Sequence, residues 1–136
     1  MLHVFLVMHR MRDDADCAKL ARSLSEQAVL DIDRNLREMG VGDLSVGRKV
    51  KSLTEGLYGR LGVYAEGIER ANGGLDAELR RNLFSEGQAL DASVQAAESY
   101  MRRETEALKT CDTADLLAGR VRFGAGPAEG IENGGK

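Results

Sequence analysis

Apolar residues recur at spacings of three and four along most of the chain, the period of a helix with one buried face. Between Asp13 and Met39 the apolar positions are Cys17, Leu20, Leu24, Ala28, Ile32, Leu36 and Met39. A second stripe of Val46, Val50, Leu53, Leu57, Leu61, Tyr64 and Ile68 predicts another long helix. Leu75, Leu79, Leu83 and Phe84 predict a short helix ended by Gly87. Leu90, Val94, Ala97, Met101 and Leu108 predict a longer one from about Ala89 to Lys109. Asp112 is placed to cap a last turn through Leu117, closed by Gly119. The opening "LHVFLVMHRM", residues 2–11, is apolar nearly all round, which predicts a short, deeply buried helix. No alternating strand pattern of useful length occurs, and Pro127 is the sole proline. The pattern predicts an all-α, single-domain helical bundle of about five to six helices over residues 1–123. Residues 124–136, rich in glycine, are expected to form a disordered tail.

The link between the two long stripes, "GVGDLSVGRKVK" at 40–51, looks at first like a phosphate-binding loop. That loop needs Gly-Lys-Ser/Thr after a buried strand, whereas Arg48, Lys49 and Val50 follow Gly47 here and the upstream "DIDRNLREM" has helical charge density. Chain reversal explains the glycines better. Gly40 fits a left-handed helix ending, which would bring Val41 onto Leu36, and Ser45 is placed to cap the next helix. That helix also holds Gly47, Gly56, Gly59, Gly62 and Gly67, each costing about 1 kcal/mol against alanine. Close helix packing is the expected compensation, and close approach of a ligand the alternative.

Composition narrows the function. The 136 residues are 43% hydrophobic and 30% charged, with six aromatics and no tryptophan, which argues against base or sugar stacking platforms. A net charge of -3 gives no overall field toward DNA, RNA or anionic lipid, so any such contact needs a local patch. Cys17 and Cys111 stand alone and suit a reducing compartment. His3 and His9 lie in the apolar run without metal-ligand spacing and are expected to be core or rim histidines. "LHVFLVMHRM" is about half the length needed to cross a bilayer and lacks a signal-peptide leader. No nucleophile elbow, zinc motif or Cys pair is present, so no catalytic, cofactor or metal residues are assigned and an enzyme is not expected.

One local conflict stands out. Arg48, Lys49 and Lys51 sit in the first turns of their helix, where the dipole already disfavours cations by several tenths of a kcal/mol. With Arg60 they form a candidate surface for a lipid phosphate, an RNA phosphate such as the ribosome's, or an acidic partner, with DNA not expected. The alternative is neutralisation by Glu38 and Asp43 across the turn.

"DRNLREMGVGDLSVGRKVKSLTEGLYGR", residues 33–60, resembles the signature of the ubiquinol-cytochrome c chaperone family, whose members assemble respiratory complex III. "LRRNLF" at 79–84 and "LLAGRVRF" at 116–123 resemble further family segments in the same order. "RK" at 48–49 resembles a reordered form of the family's usual Lys-Arg and keeps the charge. The resemblance implies a non-enzymatic factor that binds newly made cytochrome b, cytoplasmic and peripheral at the bacterial inner membrane. It implies an apolar client groove between helices, for which Gly56, Leu57, Tyr58, Gly59 and Leu61 are the candidates, close packing being their other use. It also implies a segment before residue 2. Without that segment Leu2, Phe5 and Leu6 are expected to be exposed and to mediate weak self-association. The other classes kept open are a helical RNA- or ribosome-binding adaptor using the basic patch, and a small-molecule enzyme opening at the helical glycines.

Overall fold

The computed structural model describes residues 2–70, 74–84 and 91–127. Its helices are α1 (Leu2–Met11), α2 (Ala18–Glu38), α3 (Asp43–Glu69), α4 (Leu75–Leu83), α5 (Asp91–Lys109) and α6 (Thr113–Leu117). A 3-10 turn at Ala15–Cys17 leads into α2, and no strand occurs among the described residues. The expected ending of one helix at Gly87 and the start of the next near Ala89, with Leu90, fall outside the described residues.

The α2 ending follows from its sequence. Gly40 takes a φ of +87°, its N–H donates to Arg37 O at 3.0 Å, and Val41 N–H donates to Leu36 O at 3.0 Å. This is the Schellman pattern, in which glycine accepts the left-handed conformation at little steric cost and two orphan carbonyls gain donors. The α3 start differs from expectation. Gly42, not Ser45, is the N-cap, and its carbonyl accepts from Ser45 N–H and Val46 N–H, both at 3.0 Å. Ser45 Oγ lies inside the helix and donates to Gly42 O at 3.2 Å.

Two apolar clusters hold the helices together. In the larger, Phe5 and Leu6 of α1 meet Tyr64 of α3, Leu75 and Leu79 of α4, and Val94, Ala97, Tyr100, Met101 and Leu108 of α5. The smaller joins Met11, Cys17 and Leu116, with Leu20 and Leu24 packed against it. Burial raises the pKa of the Cys17 thiol and of the Tyr64 and Tyr100 hydroxyls.

α1 is therefore central, which corrects one expectation: Phe5 and Leu6 are buried and Leu2 packs against the same cluster. Helices α5 and α3 pack over them, so the exposed apolar surface on which self-association was argued does not exist. Polar bonds fix α1 further. Arg10 donates from Nε to Leu108 O and from Nη2 to Cys111 O, both at 2.9 Å, supplying cationic donors to the carbonyl end of α5. Arg10 also pairs with Asp14 at 3.5 Å, and Asp14 accepts from Thr113 Oγ1 at 2.6 Å, tying α1 to α6. The Thr113 bond is the first cause of a lowered Asp14 pKa.

At the other long joint, Gly67 packs against Leu75, whose Cα would lie 3.0 Å from an added Cβ. Arg102 donates to the carbonyls of Gly67 and Ile68, each at 3.1 Å, closing the end of α3. After α6, Gly119 (φ +74°) repeats the helix-ending geometry, with Arg120 N–H on Asp115 O at 2.8 Å. Val121 and Phe123 then pack on the core. The expected tail boundary shifts beyond 123, because Gly124 N–H donates to the buried Glu104 carboxylate at 3.0 Å and Arg103 donates to Ala125 O. Residues 128–136 lie outside the described residues.

Candidate functional site

The α2–α3 hairpin reaches past both clusters. Of α3, residues Leu61 to Ile68 join the larger cluster, which leaves 43–60 beyond it, about 27 Å of rod at 1.5 Å per residue. Leu36, Val46 and Leu57 are buried in this outer part but belong to neither cluster; they close the seam between the two helices. Tyr58 hydroxyl and Ser25 Oγ share a hydrogen bond across the seam, and Arg37 joins Asp43 at 2.7 Å near the turn.

A two-helix rod has too little volume to cover its own apolar residues. Leu30 is 58% exposed, Met39 79%, Leu44 fully, Leu53 46% and Tyr58 47%. Met39 and Leu53 lie on the sequence stripes and were expected inward; each stripe runs on past the point where a third helix could cover it. Leu30 and Leu44 are off the stripes, and their signal was that they are large apolar residues on an otherwise polar face. On one flank, Arg22, Ser25, Glu26, Val29, Leu30 and Tyr58 line a shallow groove.

The five residues proposed for a client groove do not gather there. Consecutive positions turn by about 100°, so Gly56 to Leu61 encircle the rod. Leu57 is buried in the seam, Tyr58 lines the α2–α3 groove, and Leu61 lines another groove with Phe5, Met8, His9, Gly62 and Ala65. Gly56 and Gly59 face open space, with nothing within 4 Å of an added Cβ. Close packing is thus corrected at Gly56 and Gly59, as at Gly47 and Gly62, and holds at Gly67.

The four cations are likewise spread. Lys49 and Arg60 share one flank of α3, Arg48 lies on its back and Lys51 on the other flank, by the same 100° count. Lys51 has Glu55 at 4.0 Å; among the described residues Arg48, Lys49 and Arg60 make no ion pair. Neutralisation by Asp43 does not occur, since Arg37 holds that carboxylate, and Glu38 makes no ion pair with the cations among the described residues.

The histidines are rim residues. His3 Nε2 lies 2.7 Å from Tyr100 hydroxyl, and its ring leans on Phe123. His9 stacks on Phe5 at 5.5 Å, and burial, then the nearby Arg12 charge, lowers its pKa. His9 also borders a cavity of about 490 Å³ between the ends of α1, α3 and α5, where Arg12 pairs with Glu69 and Lys109 with Glu106. Its charged rim is thus taken up in ion pairs. Among the described residues no three His, Cys, Asp or Glu side chains converge as a metal site, and no helix is long and apolar enough to cross a membrane.

Comparison with known proteins gives the chain its relatives. Ubiquinol-cytochrome-c reductase complex assembly factor 1 of Xenopus laevis is 27% identical over 117 residues, 85% of this chain and 58% of that protein. Its Mus musculus counterpart is 26% identical over 125 residues, 90% of this chain and 42% of that one. The chain thus spans about half the length of these relatives. The crystal structure of the Cbp3 homolog from Brucella abortus superposes with a TM-score of 0.79 at 29% identity, covering 91% of this chain and 69% of that one. The family model described as ubiquinol-cytochrome C chaperone matches residues 1–123, from α1 through the hairpin to the Phe123 that packs on the core, and the chain belongs to that family.

Proposed function

We propose that this chain is an assembly chaperone for ubiquinol-cytochrome c reductase that holds newly made cytochrome b at the cytoplasmic face of the bacterial inner membrane. The observation that carries the reading is the outer α2–α3 hairpin, a rod whose Leu30, Leu53 and Tyr58 are exposed with no covering helix. Exposed apolar side chains on a rigid rod suit transient cover for a client's apolar segment, because burying each recovers hydrophobic free energy without requiring one fixed sequence. Holding rather than turnover is the mode of action, in keeping with a chaperone family. An RNA- or ribosome-binding adaptor has less support: Arg48, Lys49, Lys51 and Arg60 point to different sides of α3 and offer no continuous track for a nucleic acid backbone.

The test is a triple change, Leu30→Ser, Leu53→Ser and Tyr58→Ser, in cells lacking the native copy. These residues lie outside both clusters, so the protein is expected to fold and accumulate normally while the cytochrome b haem signal of the membranes falls severalfold. An unchanged haem signal, with the variant present at normal level, refutes the reading.

A further inference from the structure

The far end of the hairpin carries the two most exposed large apolar residues of the described chain. Met39 and Leu44 flank the Gly40–Gly42 turn, 79% and fully exposed. Around them, residues 34–51 hold five cations (Arg34, Arg37, Arg48, Lys49, Lys51) against two acids (Glu38, Asp43), although the whole chain carries a net charge of -3. Arg37 and Asp43 satisfy each other. Arg48 and Lys49 make no ion pair among the described residues, and Lys51 and Arg34 have no closer contact than 4.0 Å, to Glu55 and Asp31.

The placement of these cations is unsuited to one small anion. Arg48, Lys49 and Lys51 stand about 6, 7.5 and 10.5 Å behind Leu44 along the helix axis, fanned around the back and both flanks of α3. Arg34 lies about 7.5 Å behind Met39, on the side of α2 that faces away from α3. Together they form a collar around the rod, just behind an apolar tip. A single phosphate cannot touch opposite sides of a two-helix rod. A plane of phosphates, met end-on, can touch all of them.

We propose that the hairpin tip docks end-on into an anionic bilayer surface, with Met39 and Leu44 inserted at the acyl boundary and Arg34, Arg48, Lys49 and Lys51 against the lipid phosphates. Interfacial side chains reach roughly 5–10 Å below the headgroups, which matches the separation between tip and collar. The collar also accounts for cations at the start of α3, which helix stability disfavours: phosphates supply the negative charge that both the side chains and the dipole lack. RNA is the poorer occupant, because its bases stack on rings and the tip offers two aliphatic chains. The inference rests on the proposed function in placing the chain at a membrane, and adds which residues touch lipid.

The experiment is sedimentation of the full chain with vesicles of phosphatidylcholine alone or mixed with phosphatidylglycerol. No client is present, so the outcome is independent of cytochrome b. Binding is expected to the anionic vesicles and not to the neutral ones. Replacing Arg48, Lys49 and Lys51 by alanine is expected to weaken partitioning roughly 100-fold, at about fivefold per cation. Met39→Ser with Leu44→Ser is expected to weaken it roughly tenfold. Both variants should keep the helical circular dichroism of the parent, since the altered side chains are exposed. Absence of binding, equal binding to neutral vesicles, or binding unaffected by either variant overturns the proposal. So does displacement of the chain from vesicles by RNA or by millimolar inorganic phosphate.

Discussion

Five glycines in one helix make a sharp quantitative test, because the structure divides them into two kinds. At Gly56, Gly59 and Gly62 an added Cβ meets nothing within 4 Å. Alanine there brings the helix-propensity gain of about 1 kcal/mol each and loses nothing in packing. The three are helix neighbours, but an added methyl meets no partner at any of them, so the propensity gains should sum to about 3 kcal/mol. With roughly 2 cal/mol/K of unfolding entropy per residue, this corresponds to a Tm rise of about 10 °C. Gly67 behaves oppositely. Its added Cβ would stand 3.0 Å from Leu75 Cα and Cβ and 3.1 Å from Leu75 N. Leu75 is fully buried, and Arg102 grips the Gly67 carbonyl at 3.1 Å, so neither side can yield easily. Overpacking of about 2 kcal/mol against a propensity gain of about 1 leaves a net loss of about 1 kcal/mol. Thermal and urea unfolding of Gly67→Ala and of the triple alanine variant would show opposite signs. A triple variant no more stable than the parent, or a stabilised Gly67→Ala, refutes the division into open and packed glycines.

Two further outcomes follow from α1. Arg10→Met keeps the apolar stem but removes the donors to Leu108 O and Cys111 O. A loss of about 1–3 kcal/mol in urea unfolding is expected, and a loss below about 0.5 would show that the α5 end is satisfied otherwise. His9 has a pKa lowered by burial, so the fold prefers it neutral. Its contribution is therefore fully present above the ordinary imidazole pKa of about 6.5 and is lost as pH falls below it. Asp14, also lowered, acts in the same direction but in the more acidic carboxylate range. Melts between pH 7.5 and 5 should show falling Tm for the parent and a flatter profile for His9→Gln; equal slopes refute the assignment.

Much of this architecture was legible because it rests on local chemistry. The stripes gave the helices, and Gly40 gave the reversal, since one residue there had to take a positive φ. The α3 start was less legible: Gly42 caps through extended backbone alone, and a hydroxyl three residues on attracted the assignment. Burial was readable where helices are covered and misleading where they are not. Phe5 and Leu6 were expected on the surface from an argument about chain context, yet α3 and α5 pack over them. Met39 and Leu53 were expected inside because periodicity reports a face without saying what lies opposite. Buried Glu104 gave little signal, since it is held by the adjacent Arg103 and by Gly124 N–H, a backbone group twenty residues away. At the candidate site, the sequence indicated α3 and its cations, while the arrangement of those cations around a rod needed the fold.

The most direct measurement places a photo-crosslinking residue singly at Leu30, Leu53 or Tyr58 on the outer hairpin, and at exposed Ala77 of α4 as a control, in cells synthesising cytochrome b. The hairpin positions are expected to yield adducts with cytochrome b that disappear once its synthesis is stopped and assembly completes, while position 77 yields none. Equal capture from position 77, or hairpin adducts that contain RNA in place of cytochrome b, contradicts the account.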